Sequence, residues 1–174
     1  KDYFNWYKNI GEFGAIMNHE KFQQHISYND SVLDFGCGGG YLLEKIKCRI
    51  KEGVDINPEA IKESKKRISK VYENSNQLPE EYYDKIISHS TLQHCEYPLS
   101  ELINLHKSLK KDGVIILITS CSSRNLKFKP NDINYQLYSW SPMNLGNIVD
   151  SVGFKVIKVN KINHRWIPKY NFFL

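Results

Sequence analysis

A cluster of glycines behind a short apolar run is the feature that most constrains the fold of this chain. Residues 32–43 read VLDFGCGGGYLL, with glycines at positions 36, 38, 39 and 40. Glycine inside a strand or helix costs stability, and a simple turn needs only one or two of them. The cluster therefore predicts a loop whose backbone contacts a ligand, between a strand that ends at Phe35 and a helix behind the loop.

Apolar strands alternate with helical segments along the rest of the chain. This alternation predicts a doubly wound, Rossmann-like α/β fold, with about seven mostly parallel strands and helices on both faces. In such a sheet, ligands bind outside the carboxyl ends of the strands, where the glycine loop would lie. The predicted strands cover residues 31–35, 53–56, 70–73, 83–88, 114–118, 154–159 and, as the seventh, 166–174.

The length of 174 residues predicts a single domain over 1–174, with a helical cap at 1–30 and an α/β core at 31–174. The first 26 residues are rich in aromatic side chains and predict one or two helices. We expect the segment from Tyr3 to Phe22 to form a lid over the ligand cleft, facing residues 120–140. The alternative is that these aromatic residues pack on the flank of the sheet.

Charge and cysteine content give weaker indications. The net charge of +5 permits a weak attraction to phosphate groups. The densest basic run, between Lys62 and Lys70, has the spacing of a solvated helix face, which we favour over a nucleic-acid surface. No membrane span or signal peptide is predicted, and the cysteines form no CxxC pair or metal-ligand pattern. We therefore expect a cytoplasmic protein without a bound metal.

The glycine loop fits neither common phosphate-binding pattern. A GxGxxG fingerprint would need glycine where the chain has Tyr41 or Leu43, and the Gly-Lys-Ser/Thr end of a P-loop is missing. The string from Asp34 to Gly40 instead reads D-x-G-x-G-x-G. It resembles the first motif of the class I S-adenosylmethionine (SAM)-dependent methyltransferases, in particular the small type 11, 12 and 23 groups.

The resemblance covers most of the chain from Val32 to Val159 and implies that the cofactor is SAM, with S-adenosylhomocysteine as its product. GVDINPEAI resembles the second motif of the family. It implies that Asp55 accepts hydrogen bonds from the ribose hydroxyls and that Ile56 packs against adenine. The segments around the fourth and fifth strands resemble the family as well.

One position departs from the family pattern. The family commonly has an aspartate four residues before Leu78-Pro79, where it contacts the adenine amino group, and this chain has Asn74. Asn74 could accept the same hydrogen bond, or Glu73 or Ser75 could replace it. The resemblance thus implies a set of cofactor-binding residues along the carboxyl edge of the sheet: Asp34, Gly36, Cys37, Gly38, Gly40, Asp55, Ile56, Asn74, Ser75 and Ser88.

Two histidines are candidates for a general base. His89 and His94 follow the fourth strand, near the methyl-donor end of the cleft, and histidine has a pKa near neutrality. A capping or packing role is the alternative for each. Tyr7, Tyr138 and Trp140 are the expected contacts of the methyl acceptor.

The acceptor itself is predicted mainly by exclusion. Residues 88–91 read SHST, without the Asn/Asp-Pro-Pro-aromatic string of enzymes that methylate nucleic-acid amines. A Pro-Cys nucleophile is also missing. We therefore expect O- or N-methylation of a small-molecule or saccharide-type acceptor, with nucleic acid less expected. The alternatives are a SAM-binding partner subunit without turnover and an RNA-directed methyltransferase or binding module.

Overall fold

The computed structural model of the protein describes residues 2–121 and 127–162. These residues form an alternating series of helices and strands, with 3-10 turns at Ser75–Gln77 and Leu92–His94. In chain order the elements are α1 (Asp2–Gln23), β1 (Ser31–Phe35), α2 (Tyr41–Lys45), β2 (Ile50–Val54), α3 (Pro58–Ser64), β3 (Lys70–Tyr72), β4 (Tyr83–His89), α4 (Pro98–Ser108), β5 (Leu109–Ile118) and α5 (Pro142–Ser151).

The strands of the described residues form one parallel sheet with the order β3-β2-β1-β4-β5. The chain moves outward from β1 through β2 to β3 and then crosses back to β4 on the other side of β1. The strand order therefore reverses between β1 and β4, and a crevice opens there at the carboxyl edge. The glycine loop after β1 and His89 at the end of β4 lie at this reversal.

Local sequence signals account for the helix starts beside the site. The Asn57 side chain accepts hydrogen bonds from the backbone amides of Glu59 and Ala60, and Pro58 occupies the first turn of α3. The Ser141 side chain likewise caps α5 by accepting from the Asn144 amide. Asn-Pro and Ser-Pro pairs are typical helix starts, and both helices begin at such a pair.

The prediction of about seven strands is not confirmed, because the described sheet has five. Residues 154–159, predicted as the sixth strand, form no strand. The sheet ends at β5 in the described part of the chain, so this segment has no partner strand there, and Ile157 is 80% exposed. The predicted seventh strand, 166–174, lies outside the described residues.

The core lies on both faces of the sheet. On one face, Phe22 of α1 and Leu43 of α2 pack with Val32 and Ile87. On the other face, Leu105 of α4 packs with Leu33 and Tyr83. The N-terminal stretch is a single helix, α1, and Phe22 near its end is completely buried. In the described part of the chain, no helix has the length and apolar character needed to cross a membrane.

Candidate functional site

The glycine loop has a backbone that only glycine adopts easily. Gly36, Gly38 and Gly40 have positive φ angles of 76°, 53° and 78°. The amides of Gly36 and Cys37 both donate to the carbonyl oxygen of Val54, at 2.8 and 3.1 Å. The loop is thus folded over the end of β2 and leads directly into α2.

The three-dimensional surroundings separate the glycines into two kinds. A Cβ atom on Gly36 would collide with the Thr91 side chain, and one on Gly39 would collide with the Tyr41 ring, so packing within the protein requires both. A Cβ on Gly38 would meet nothing within 4 Å. Gly38 therefore faces open space, as a glycine beside a ligand would.

A small cavity lies between α1 and the glycine loop. Gly11 and Gly14 of α1 line it on one side, and Asp34, Gly38 and His89 line it on the other. Its volume is about 50 Å³. Ligand sites for small molecules usually have volumes of about 300 to 1,000 Å³. Helix α1 therefore covers the loop closely.

Asp34 places a buried carboxyl group at this cavity. Its side chain belongs to β1 and is 2% exposed. Burial raises the pKa of Asp34 to about 7, and the negative charge of Asp55 contributes to the rise. A cationic group in the cavity would favour the ionised carboxylate, so this position suits a positively charged ligand.

Asp55 connects the end of β2 to the loop and to α3. One carboxylate oxygen accepts from the Gly38 amide and the other accepts from the Asn57 amide, both at 2.8 Å. Burial raises the pKa of Asp55, although these backbone hydrogen bonds act in the opposite direction. The Ile56 amide is a third backbone donor to this carboxylate. A carboxylate has about four acceptor positions, so about one remains for a ligand hydroxyl.

A larger, open cavity of about 300 Å³ is lined by Ile56, the residue that follows Asp55 in the chain. Its apolar wall consists of Ile56, Pro58 and Ile61, and Glu73 lines the edge formed by β3. Ile56 is 86% exposed, which is unusual for isoleucine. An apolar surface next to a carboxylate suits a flat ring attached to a sugar.

Asn74 and Ser75 use their side chains for local structure. The Asn74 side chain caps the 3-10 turn by accepting from the Asn76 amide. The Ser75 hydroxyl accepts from the Asn104 side-chain amide at 2.9 Å. Glu73, the remaining alternative, lines the cavity beside Ile56.

Ser88 and Cys37 also have internal roles. The buried Ser88 hydroxyl donates to the carbonyl of Phe35 at 2.9 Å, which joins β4 to the end of β1. The Cys37 thiol packs against Gly53 of β2, and burial raises its pKa. Cys37 is one of the residues that line the small cavity, but its sulfur is directed towards the sheet.

The two histidines lie in different surroundings. His89 ends β4, lines the small cavity with Asp34, and meets the Phe22 ring edge-on at 6.3 Å. His94 has its Nδ1 atom 3.5 Å from the carbonyl oxygen of Tyr135, and burial lowers its pKa. The geometry therefore brings His89, and not His94, to the glycine loop.

The residues expected to contact the acceptor also differ in their exposure. Trp140 is 7% exposed and packs with Leu92 and Leu102, so it belongs to the core and not to a pocket wall. Tyr138 stacks on it at 5.6 Å and is 39% exposed. The side chain of Tyr7 lies outside the described residues. Tyr138 is therefore the expected acceptor contact that is available at the surface.

Sequence reasoning missed several residues at the site. Gly11 and Gly14 line the cavity from inside a helix, where glycine is unfavourable, and this placement was the available signal. Arg67 donates to the carbonyl oxygen of Gly39 at 3.3 Å. It was missed because it lies in a basic run that was interpreted as a solvated helix face.

Comparison with known proteins gives a consistent result. The family model described as "Methyltransferase domain" matches residues 14–159. The chain is 25% identical over 166 residues to a protein of Rickettsia typhi named ubiquinone biosynthesis O-methyltransferase, covering 80% of this chain and 65% of that one. It is 34% identical over 110 residues to a tRNA U34 carboxymethyltransferase of Vibrio atlanticus, covering 55% of this chain and 34% of the relative.

A solved structure extends the similarity to the fold. The structure of a SAM-dependent methyltransferase from Archaeoglobus fulgidus matches with a TM-score of 0.69 at 20% identity, covering 98% of this chain and 88% of the other. The chain spans less than two thirds of the length of either curated relative. The similarity therefore covers the methyltransferase domain and not the full length of these relatives.

Proposed function

Because the chain belongs to the methyltransferase domain family, we propose that it transfers a methyl group from SAM to a small acceptor. The observation that carries this proposal is the meeting of Asp34, Gly38 and Asp55 at the reversal of strand order. There, the Asp34 carboxyl group and the open Gly38 line one cavity, and the Asp55 carboxylate accepts from the Gly38 amide, an arrangement that suits a cationic nucleoside.

The residues present fit SAM part by part. Asp34 would orient the ammonium end of the methionine moiety, directly or through water. The remaining acceptor position of Asp55 would take a ribose hydroxyl, and adenine would lie on the exposed face of Ile56. The Gly38 backbone would pass closest to the ligand, since no side chain occupies that space.

His89 is the residue that we assign to proton transfer. When bound, SAM supplies a methyl group on a positively charged sulfur, which leaves as neutral S-adenosylhomocysteine. If the acceptor is a hydroxyl, its proton passes to the His89 imidazole as the oxygen attacks the methyl carbon. Helix α1 would exclude water, and the positions of the reacting groups would provide much of the rate.

A small molecule with a hydroxyl or amino group is the acceptor class that we favour. Residues 88–91 do not carry the proline-rich string of amine-methylating nucleic-acid enzymes. A relative is named as an O-methyltransferase of ubiquinone biosynthesis. Tyr138 would contact the acceptor from the segment after β5, since its ring is partly exposed.

RNA is the second candidate acceptor. A relative is named as a tRNA carboxymethyltransferase, and Lys62 and Lys65 line the open cavity beside Ile56. Phosphate contacts from lysine would make binding depend strongly on salt. Loss of tRNA binding between 50 and 200 mM salt, together with methyl transfer to tRNA, would favour this candidate.

The direct test of the proposal is binding of S-adenosylhomocysteine by calorimetry. We expect the unaltered protein to bind and Gly38→Val to lose binding, because a branched side chain would fill the ligand's space and would be strained at the positive φ angle of this position. Gly146→Ala in α5 is the control, since the new Cβ would make only an ordinary contact with Val159, at 3.6 Å. Absence of heat and of thermal shift at millimolar ligand would refute the proposal.

A mass-spectrometric screen then identifies the acceptor class. The protein is incubated with SAM and pools of small hydroxyl and amine compounds, and products are detected by the added mass of a methyl group. His89→Gln should reduce transfer while it leaves binding of S-adenosylhomocysteine within about twofold. Equal transfer by His89→Gln and the unaltered protein would mean that His89 is not the base.

A further inference from the structure

Arg67, in the basic run between Lys62 and Lys70, contacts the glycine loop. We propose that Arg67 is a positioning residue, which fixes the loop in the conformation that binds the SAM nucleoside. This inference rests on the proposed function. It assigns a role to a side chain that lies outside the loop and outside the cavities described above.

Arg67 makes two contacts with the segment 39–41. Its guanidinium donates to the carbonyl oxygen of Gly39 at 3.3 Å and lies over the ring of Tyr41, 4.5 Å from the ring centre. The same ring occupies the space where a Cβ of Gly39 would be. Arg67 therefore covers both the backbone and the neighbouring aromatic ring of the loop.

Acidic residues hold the guanidinium in this position. Glu63 accepts from Arg67 at 3.0 Å with its carboxylate and at 3.2 Å with its backbone carbonyl. Glu44 of α2 lies 3.4 Å from the Arg67 Nε atom. Hydrogen bonds from Lys66 and Arg67 lower the pKa of Glu63 to about 2, so the carboxylate is charged at neutral pH.

The loop is consequently held from two sides. Asp55 accepts from the Gly38 amide at 2.8 Å, and Arg67 donates to the carbonyl of the next residue, Gly39. Glycines have many backbone conformations, so a glycine-rich loop without such contacts would lose entropy when a ligand fixes it. With Arg67 in place, part of that ordering exists before the ligand binds.

Three variants test the inference. Arg67→Met keeps an unbranched apolar side chain over Tyr41 but removes every hydrogen bond. Arg67→Lys keeps the charge but has no planar guanidinium to lie over the Tyr41 ring and no Nε atom to contact Glu44. Lys66→Met is the matched control, because the exposed Lys66 side chain donates to the same Glu63 carboxylate at 2.7 Å, on the other carboxylate oxygen from Arg67.

The measurements are the dissociation constant and dissociation rate of S-adenosylhomocysteine at 15 °C, with Tm recorded for each variant. We expect Arg67→Met to bind about tenfold more weakly, which corresponds to one charge-assisted hydrogen bond. Arg67→Lys should fall between Arg67→Met and the unaltered protein, and Lys66→Met should stay within about twofold of the unaltered protein.

Several results would overturn the inference. If Arg67→Met lowers Tm but binds the ligand normally, Arg67 serves stability alone. Equal losses of affinity in Arg67→Met and Lys66→Met would mean that the positive charge near the end of α3 supports binding, and that the contact with the loop does not. If Arg67→Met does not fold, normal binding by Arg67→Lys would still refute the inference. A failure of the unaltered protein to bind would refute the proposed function itself.

Discussion

At the scale of single residues, the buried Asp34 carboxyl group should make the ligand-free protein less stable at high pH than at low pH. Its pKa is raised to about 7 in the folded protein, mainly by burial, whereas a free aspartate has a pKa of about 3.9. Between these values the folded state binds the proton and the unfolded state does not. The stability contributed by protonated Asp34 is therefore present at low pH and is lost as the pH rises towards about 7.

Asp34→Asn should remove this dependence, because the amide stays neutral. We expect the ligand-free variant to have a higher Tm than the unaltered protein at pH 8, by about 2–4 °C for each kcal/mol recovered, and a similar Tm at pH 4. Thermal unfolding at both pH values checks the expectation. A lower Tm of the variant at pH 8 would show that the Asp34 carboxylate stabilises the empty site.

The same residue predicts how ligand binding depends on pH. SAM carries an ammonium and a sulfonium group, which favour the ionised carboxylate of Asp34. Binding of SAM should therefore release a proton, and affinity should rise as the pH increases from about 6 to 8. Calorimetry in buffers with different ionisation enthalpies counts the protons released, and Asp34→Asn should release fewer.

At the scale of elements, the segment between β5 and α5 contains side chains with different roles. Trp140 is buried among Leu92, Leu102 and neighbouring apolar residues, while Tyr138 stacks on its outer side. Trp140→Ala should cost about 3–5 kcal/mol of stability because it leaves a large void. Tyr138→Ala should change Tm far less and should reduce methyl transfer to the acceptor. The reverse pattern would mean that Trp140, and not Tyr138, contacts the acceptor.

Some features of the fold and the site could be predicted from the sequence, and others could not. The placement of the glycine loop next to Asp55 was predictable, because both follow the carboxyl ends of two short strands that are consecutive in the chain and pair in parallel. The burial of Trp140 and the internal bond of Ser88 depend on neighbours that are distant in sequence. The strand predicted at 154–159 failed for a related reason, since an apolar segment forms a strand only beside a partner.

At the scale of the whole molecule, we propose that α1 controls how a ligand reaches the site, because its residues line the cavity at the glycine loop. The space of about 50 Å³ beneath α1 is too small for SAM, so we expect α1 to move when the ligand enters. Deletion of residues 1–22 would be a poor test, because it would remove the fully buried Phe22 from the core. A surface contact of α1 is a better target.

Lys8 of α1 offers that contact, since its Nζ atom lies 3.8 Å from the Glu63 carboxylate of α3. Exposed ion pairs contribute at most about 1 kcal/mol, so Lys8→Gln should leave the fold intact. If α1 must open, weakening this pair should increase the association rate of S-adenosylhomocysteine by up to about fivefold, as measured by stopped-flow fluorescence. Lys66→Gln removes another cation from Glu63 without touching α1 and should leave the association rate unchanged. If both variants associate at the rate of the unaltered protein, α1 does not limit access to the cofactor site.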